Sequence, residues 1–341
     1  MKRQTLLTLT IAIAMTMTMN AQTIALHSST GVQIIKGNTA LATAYTAAQN
    51  GDTLYLSGHT FIPPGSFDKQ LSIFGAGHYV DSTLTTGKTF INGNVTLNEN
   101  ADLFYLEGVE ITGNFTISTN HSVNNVIIKR CKINGTFNAL GDLSNPTSNL
   151  SLIGNVLMNR INLENIQNAL LSNNIISNTF QGSNGNMISN NIIMGFIWGS
   201  SMDYLFLGSN NTLNNNIILW EGYNANVNGS GNIFNNNLYV EPTPDYGTAA
   251  TNSGNHTGIP QTAIFVNQTG TTFNYTHDYH LQAPTTYLGT DGTQVGIYGG
   301  TFPYKEGAVP LNPHIQLKNI APTTDANGDL QIQIQVKAQD N

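Results

Sequence analysis

The chain has 341 residues, a net charge of −7 and only 9% charged side chains, far below the quarter usual in globular proteins. No lysine occurs between Lys132 and Lys305, so the basic footprint that nucleic-acid binding needs is missing. Its 47 asparagines take over the polar role, and its single cysteine, Cys131, excludes an intramolecular disulfide.

At the N-terminus, Lys2 and Arg3 precede an apolar run from Leu6 to Met15 and a small residue at Ala21. This pattern predicts a signal peptide over 1–21, cleaved before Gln22, and hence a secreted, periplasmic or outer-surface protein of bacterial style. The run is too short to span a bilayer, and no later segment qualifies.

The middle of the chain repeats. Leu106, Ile128, Leu152, Leu171, Ile188, Leu213 and Phe234 align on one template. Three residues after each stand Val109, Cys131, Asn155, Asn174, Asn191, Asn216 and Asn237. Two further on stand Ile111, Ile133, Leu157, Ile176, Ile193, Ile218 and Tyr239. Steps of 22, 24, 19, 17, 25 and 21 residues between the anchors mark the coils of a solenoid. The apolar runs are short, rich in β-branched residues and interrupted by Asn and Gly, which predicts strands and not helices. A second apolar column is expected six residues past the anchors, at Phe115, Phe137, Ile161, Phe180 and Ile197. An earlier coil fits too, since Ile91-Asn-Gly-Asn-Val95 mirrors Ile111-Thr-Gly-Asn-Phe115. The aligned Asn155, Asn174, Asn191, Asn216 and Asn237 predict a buried amide ladder, each side chain bonding to the coils above and below. Cys131, in the same column, is expected to be a buried small hydrophobe.

The stretch Ala40–Asp52 leading into Thr53-Leu-Tyr-Leu56 resembles the capping helix and first strand of the right-handed parallel β-helix, or pectate-lyase-like, superfamily. Leu71-Ser-Ile-Phe-Gly-Ala-Gly77 resembles its second coil, and Gly292–Gly300 resembles the closing segment of secreted bacterial members. The resemblance covers roughly residues 38–303. It implies an all-β, right-handed single-stranded parallel β-helix with an N-terminal capping helix and a C-terminal extension. It leaves the activity open, because this fold hosts several. The expected divisions are the solenoid over 22–240, an excursion and closing segment over 241–303, and a tail over 304–341. In the tail, the alternating Leu330–Val336 strand is expected to pair at an edge.

Chemistry is sparse. From 150 to 240 the only charges are Arg160, Glu164, Asp203 and Glu221, and no two Asp residues share a column. Arg160 and Glu221 share an offset but lie three coils apart, about 14 Å at the strand spacing. The sequence carries no constellation matching a lyase motif. Charges do gather earlier: Glu107 and Lys129 occupy one column and Glu110 and Lys132 the next, with Asp102 and Arg130 nearby. Asp102, Glu107 and Arg130 form the patch where catalysis would sit if there is any. The cluster His277-Asp278-Tyr279-His280 is read as an ordinary closing strand, because a strand sends 277 and 278 to opposite sides; no metal and no cofactor are expected. Trp198 and Tyr223 share an offset of seven, with Phe196 and Trp220 close by, and Gln181 and Asn162 continue that column. If exposed, these aromatics suit the apolar face of a sugar ring; the excursion folding back would bury them instead. The sequence thus reads as an exported, non-catalytic glycan-binding or adhesive β-helix, the alternative being a polysaccharide lyase or glycoside hydrolase on the same fold.

Overall fold

The computed structural model describes residues 22–195, 206–221, 227–307, 309 and 313–337. The short apolar runs form three long sheets, to each of which the central coils contribute one strand. Sheet 1 has twelve strands, sheet 2 nine and sheet 3 seven. Within the solenoid the neighbours are parallel and come from successive coils, giving about nine turns. A parallel β-solenoid results because no single coil has a hydrophobic interior of its own.

The register follows the repeat. In sheet 1, Leu106, Ile128, Leu152, Leu171, Ile188, Leu213 and Phe234 are successive partners. In sheet 2 the same holds from Ile111 and Ile133 through Ile218 and Tyr239. In sheet 3, Phe115, Phe137, Ile161 and Phe180 align, and the Phe115 and Phe137 rings stack 5.0 Å apart. The next member of that row is Phe206 and not Ile197. The 25-residue step holds its surplus between Ile193 and Phe206, so a constant offset from Asn191 fails there.

The first strands differ from the rest. Thr23–Ser28 pairs antiparallel with both Gly31–Lys36 and Thr53–Leu56. Helix α1 (Ala40–Ala47) adds its buried Ala40, Leu41 and Ala44 to the same apolar core. Among the described residues no helix is long and apolar enough to cross a membrane.

Between sheets 1 and 2 the chain turns inward at the anchor position. Asn155, Asn174, Asn191, Asn216 and Asn237 are all fully buried. Asn155 Nδ2 donates to Asn174 Oδ1 at 3.0 Å, and the same bond recurs from Asn174 to Asn191, Asn191 to Asn216 and Asn216 to Asn237 at 2.9 Å. Asn255 continues the run at 3.1 Å. Each Oδ1 also accepts the backbone N–H of the preceding anchor, Cys131 being the first. The second Nδ2 proton reaches a sheet 1 carbonyl, as from Asn174 to Leu152 at 2.8 Å. Each of these amides therefore has its oxygen and its nitrogen bonded without water. A further buried series, Asn186, Asn211 and Asn232, does the same just before sheet 1.

Residues 259–304 fold back over the outer face of sheet 2. The first residues of the five later sheet 2 strands, Val156, Ile175, Ile192, Ile217 and Leu238, pack there against Ile264, Phe265, Phe273, Val295 and Ile297. A sheet covered on both sides reads as apolar at consecutive positions, which is the Val-Leu, Ile-Ile and Leu-Tyr pattern of these strands. The C-terminal strand Ile332–Lys337 does not join a solenoid edge. It pairs with His314–Ile320 as a separate antiparallel hairpin.

Replacing Asn191 by Leu should cost about 1–3 kcal/mol, because the amides of Asn174 and Asn216 lose partners while still buried. Chemical denaturation checks this; an unchanged midpoint would mean that the amide run contributes no stability.

Candidate functional site

The structure brings part of the charged patch together. Glu107 is fully buried, and Arg130 Nη1 donates to its Oε1 at 2.9 Å. Tyr105 donates its hydroxyl to the other oxygen. In register the strand neighbour of Glu107 is Lys129, yet the ion pair forms with Arg130. Arg130 stands at φ +50°, in the left-handed region. The equivalent position in other coils holds Gly108, Gly154, Asn173, Asn190, Asn215 or Asn236, residue types that tolerate this conformation. An arginine there is strained, and the turn delivers its planar cation to a desolvated carboxylate that suits a guanidinium better than an ammonium. Asp102 takes no part; its Oδ1 accepts from the Asn124 backbone N–H at 2.6 Å.

Beside this pair lies a groove of ≈ 500 Å³ between the solenoid and the chain that covers it. Lys129, Arg130, Ile153 and Gly154 form one wall, and Phe302 to Lys305 the other. Burial and the neighbouring Arg130 charge lower the Lys129 pKa. Burial pushes the Cys131 thiol, beneath this turn, up to about 12, so it stays protonated at neutral pH.

The neighbouring column forms a second network. Glu110 accepts from Lys132 at 3.1 Å and from Asn134 at 3.0 Å, and Lys88 lies at 2.5 Å. Tyr275, from the covering segment, sits under the Lys88 and Lys132 ammonium groups and 3.2 Å from Nδ1 of the fully buried His78.

On sheet 3, Asn138, Asn162 and Gln181 are successive register partners. With Thr136, Asn159, Arg160 and Asn178 they line an open polar groove of ≈ 320 Å³. Arg160 Nη1 donates to Gln181 Oε1 at 3.3 Å.

The aromatic cluster fares differently. Trp198, Phe196 and Tyr223 lie outside the described residues. Trp220 is only 3% exposed and belongs to the core, with its indole against Gly195, where even a Cβ would lie 2.3 Å away. It presents no face to a ligand, a correction to its expected place in a stacking surface. The sequence left burial open as the alternative to exposure, because the strand alternation of sheet 2 does not extend to residue 220, two past its end.

Asp278–Leu281 is a strand, with Asp278 and His280 on one side, 2.7 Å apart, and Tyr279 buried on the other. Among the described residues no group of three His, Cys, Asp or Glu could hold a metal ion. The sequence also did not flag the left-handed row before each anchor. Its signal stands in the repeat: Gly in two coils, Asn in four and Arg in one.

Comparison of the chain with family models, with curated proteins and with solved structures finds no match.

Two outcomes are expected. Arg130→Ala strands a fully buried carboxylate and should destabilise the protein by about 3–5 kcal/mol in equilibrium unfolding. The second concerns acid. Burial lowers the His78 pKa from 6.5 to about 3, an effect that Lys132 and Lys88 reinforce and Glu110 opposes. The unfolded chain therefore takes up this proton at a higher pH than the folded one. The His78 contribution is intact above pH 6.5 and declines as pH falls toward 3. The melting temperature should drop less between pH 7 and 4 in His78→Gln than in the parent; equal drops would contradict it.

Proposed function

We infer that this is an exported, non-catalytic β-helix protein that binds glycans, with sheet 3 as the binding face. The resemblance to the pectate-lyase-like superfamily supports a right-handed coil and a bacterial, secreted origin, and the leader-like residues 1–21 support export. The observation that carries the binding reading is the in-register row Asn138, Asn162 and Gln181, set one rung apart beside Arg160, Asn159 and Asn178. Amides at a rung spacing of about 4.8 Å offer repeated donor and acceptor pairs to the hydroxyls of successive sugars. A protein with few charges suits neutral sugars, whose recognition rests on such groups. Because the backbone fixes the row, little ordering is required on binding.

The alternative, a polysaccharide lyase, draws on Lys129 and Arg130, a lysine of lowered pKa beside a fixed cation. It would need an acidic polymer to be cleaved.

A glycan array followed by calorimetry tests the binding reading. The double variant Asn162→Ala/Gln181→Ala should weaken the best ligand by about 1–3 kcal/mol with little change in melting temperature, since both side chains lie on the outer surface. No retained glycan, or unchanged affinity in the variant, would contradict it. On polygalacturonate and alginate with calcium we expect no unsaturated product; its appearance would favour the lyase, and its loss in Lys129→Gln would locate the site.

A further inference from the structure

The groove under the covering segment is chemically unlike the sheet 3 face. Its walls are apolar at Ile153, Phe302 and Pro303, yet Lys129, Arg130 and Lys305 converge on it. The carboxylate beside them, Glu107, is fully buried and already bonded to Arg130 and Tyr105. Lys129 has no carboxylate within ion-pair distance among the described residues, although it is half-buried. The nearby Glu306 does not line the groove. It accepts from Tyr298 at 3.1 Å and lies 3.7 Å from His280. With Arg130 matched by Glu107, Lys129 is the cation that faces the groove without an ion-pair partner among the described residues, in a protein of net charge −7.

Two features show that the place is built and not incidental. Arg130 holds a left-handed turn that every aligned coil from Gly108 to Asn236 otherwise gives to Gly or Asn. The covering segment is tied down over later coils by this same row: Asn173 donates to the Ile297 and Gly299 carbonyls at 2.8 and 2.7 Å, and Asn236 to Leu288 at 3.0 Å. At Arg130 and Gly154 no such tether forms among the described residues, and the groove opens there.

We propose that this groove is a second ligand site, for a carboxylate carried on a ring with an apolar face, with Lys129 and Arg130 holding the carboxylate and Phe302 and Pro303 the ring. A desolvated cation pair gives a charge-assisted bond to a carboxylate, stronger than one at an open surface. Burial and like charge together lower the Lys129 pKa, and a bound anion relieves the second of these causes. The ring acid could be aromatic or a uronic acid, and the two share the chemistry that the groove offers. The site is independent of sheet 3 and stands or falls apart from it.

The test is calorimetric titration of the full chain with benzoate, glucuronate, acetate and inorganic phosphate. Saturable binding of benzoate or glucuronate, tighter than acetate, is expected, and which of the two binds names the source of the ring. Lys129→Gln should weaken it by roughly tenfold or more, and Phe302→Ala should abolish the preference over acetate. Both side chains are at least partly exposed, so these variants keep the fold, which their melting curves verify. Gln181→Ala, on the other face, should leave the titration unchanged. Absence of saturable binding by either ring acid, equal affinity for phosphate, or an unaltered titration in Lys129→Gln would overturn the proposal.

Discussion

Backbone hydrogen bonding between coils is the constraint on which the rest of this molecule depends. A strand of two or three residues has almost no stability alone. Here each is held by neighbours above and below, and the anchor amides extend the same pattern to the corner between sheets 1 and 2. Because Asn174 Oδ1 accepts both a backbone and a side-chain N–H from Asn155, a shift of one residue would leave several buried groups unpaired at once. The corner thereby fixes register as well as contributing stability. The polar row on sheet 3 inherits its spacing from that register, and so does the row that ties the covering segment.

Much of the fold was legible because the repeat is a physical necessity. The sheet 1 and sheet 2 positions named from the spacing are the partners observed, from Leu106 to Phe234 and from Ile111 to Tyr239. Legibility ended where coil length changed. A spacing rule cannot tell on which side of a strand surplus residues are looped out, so Ile197 stood where Phe206 belongs. The covering segment was also visible only as loose sequence. Its clue lay in sheet 2, where the residue after each anchor turns from Glu110 and Lys132 to Val156, Ile175 and Ile192. That change, from charged to apolar on the outward side, marks where the cover packs as an apolar layer, whereas Tyr275 meets the charged coils through Lys88, Lys132 and His78.

The candidate site was legible to a smaller extent. Column arithmetic placed Glu107 beside Lys129, which the register shows, but ion pairing is decided by side-chain reach and desolvation. Arg130 wins because a left-handed turn aims it at the carboxylate. Trp220 looked available because it falls in the same two coils as Trp198 and Tyr223; packing against Gly195, the equivalent position of the preceding coil, decided otherwise. Burial of this kind depends on the size of the residue at the matching position of the adjacent coil, which spacing alone does not weigh.

The division of labour follows from charge scarcity. With so few ions, the lysine and arginine ion pairs among the described residues gather where the cover meets the solenoid, while sheet 3 offers amides and one arginine. The account rests throughout on the anchor amides holding the coils in register, and amide hydrogen exchange measures this most directly. The backbone N–H groups of Asn155, Asn174, Asn191 and Asn216, each donating to a buried Oδ1, should exchange among the slowest in the protein, at rates set by global unfolding. Exchange there as fast as in the exposed turns would contradict the account.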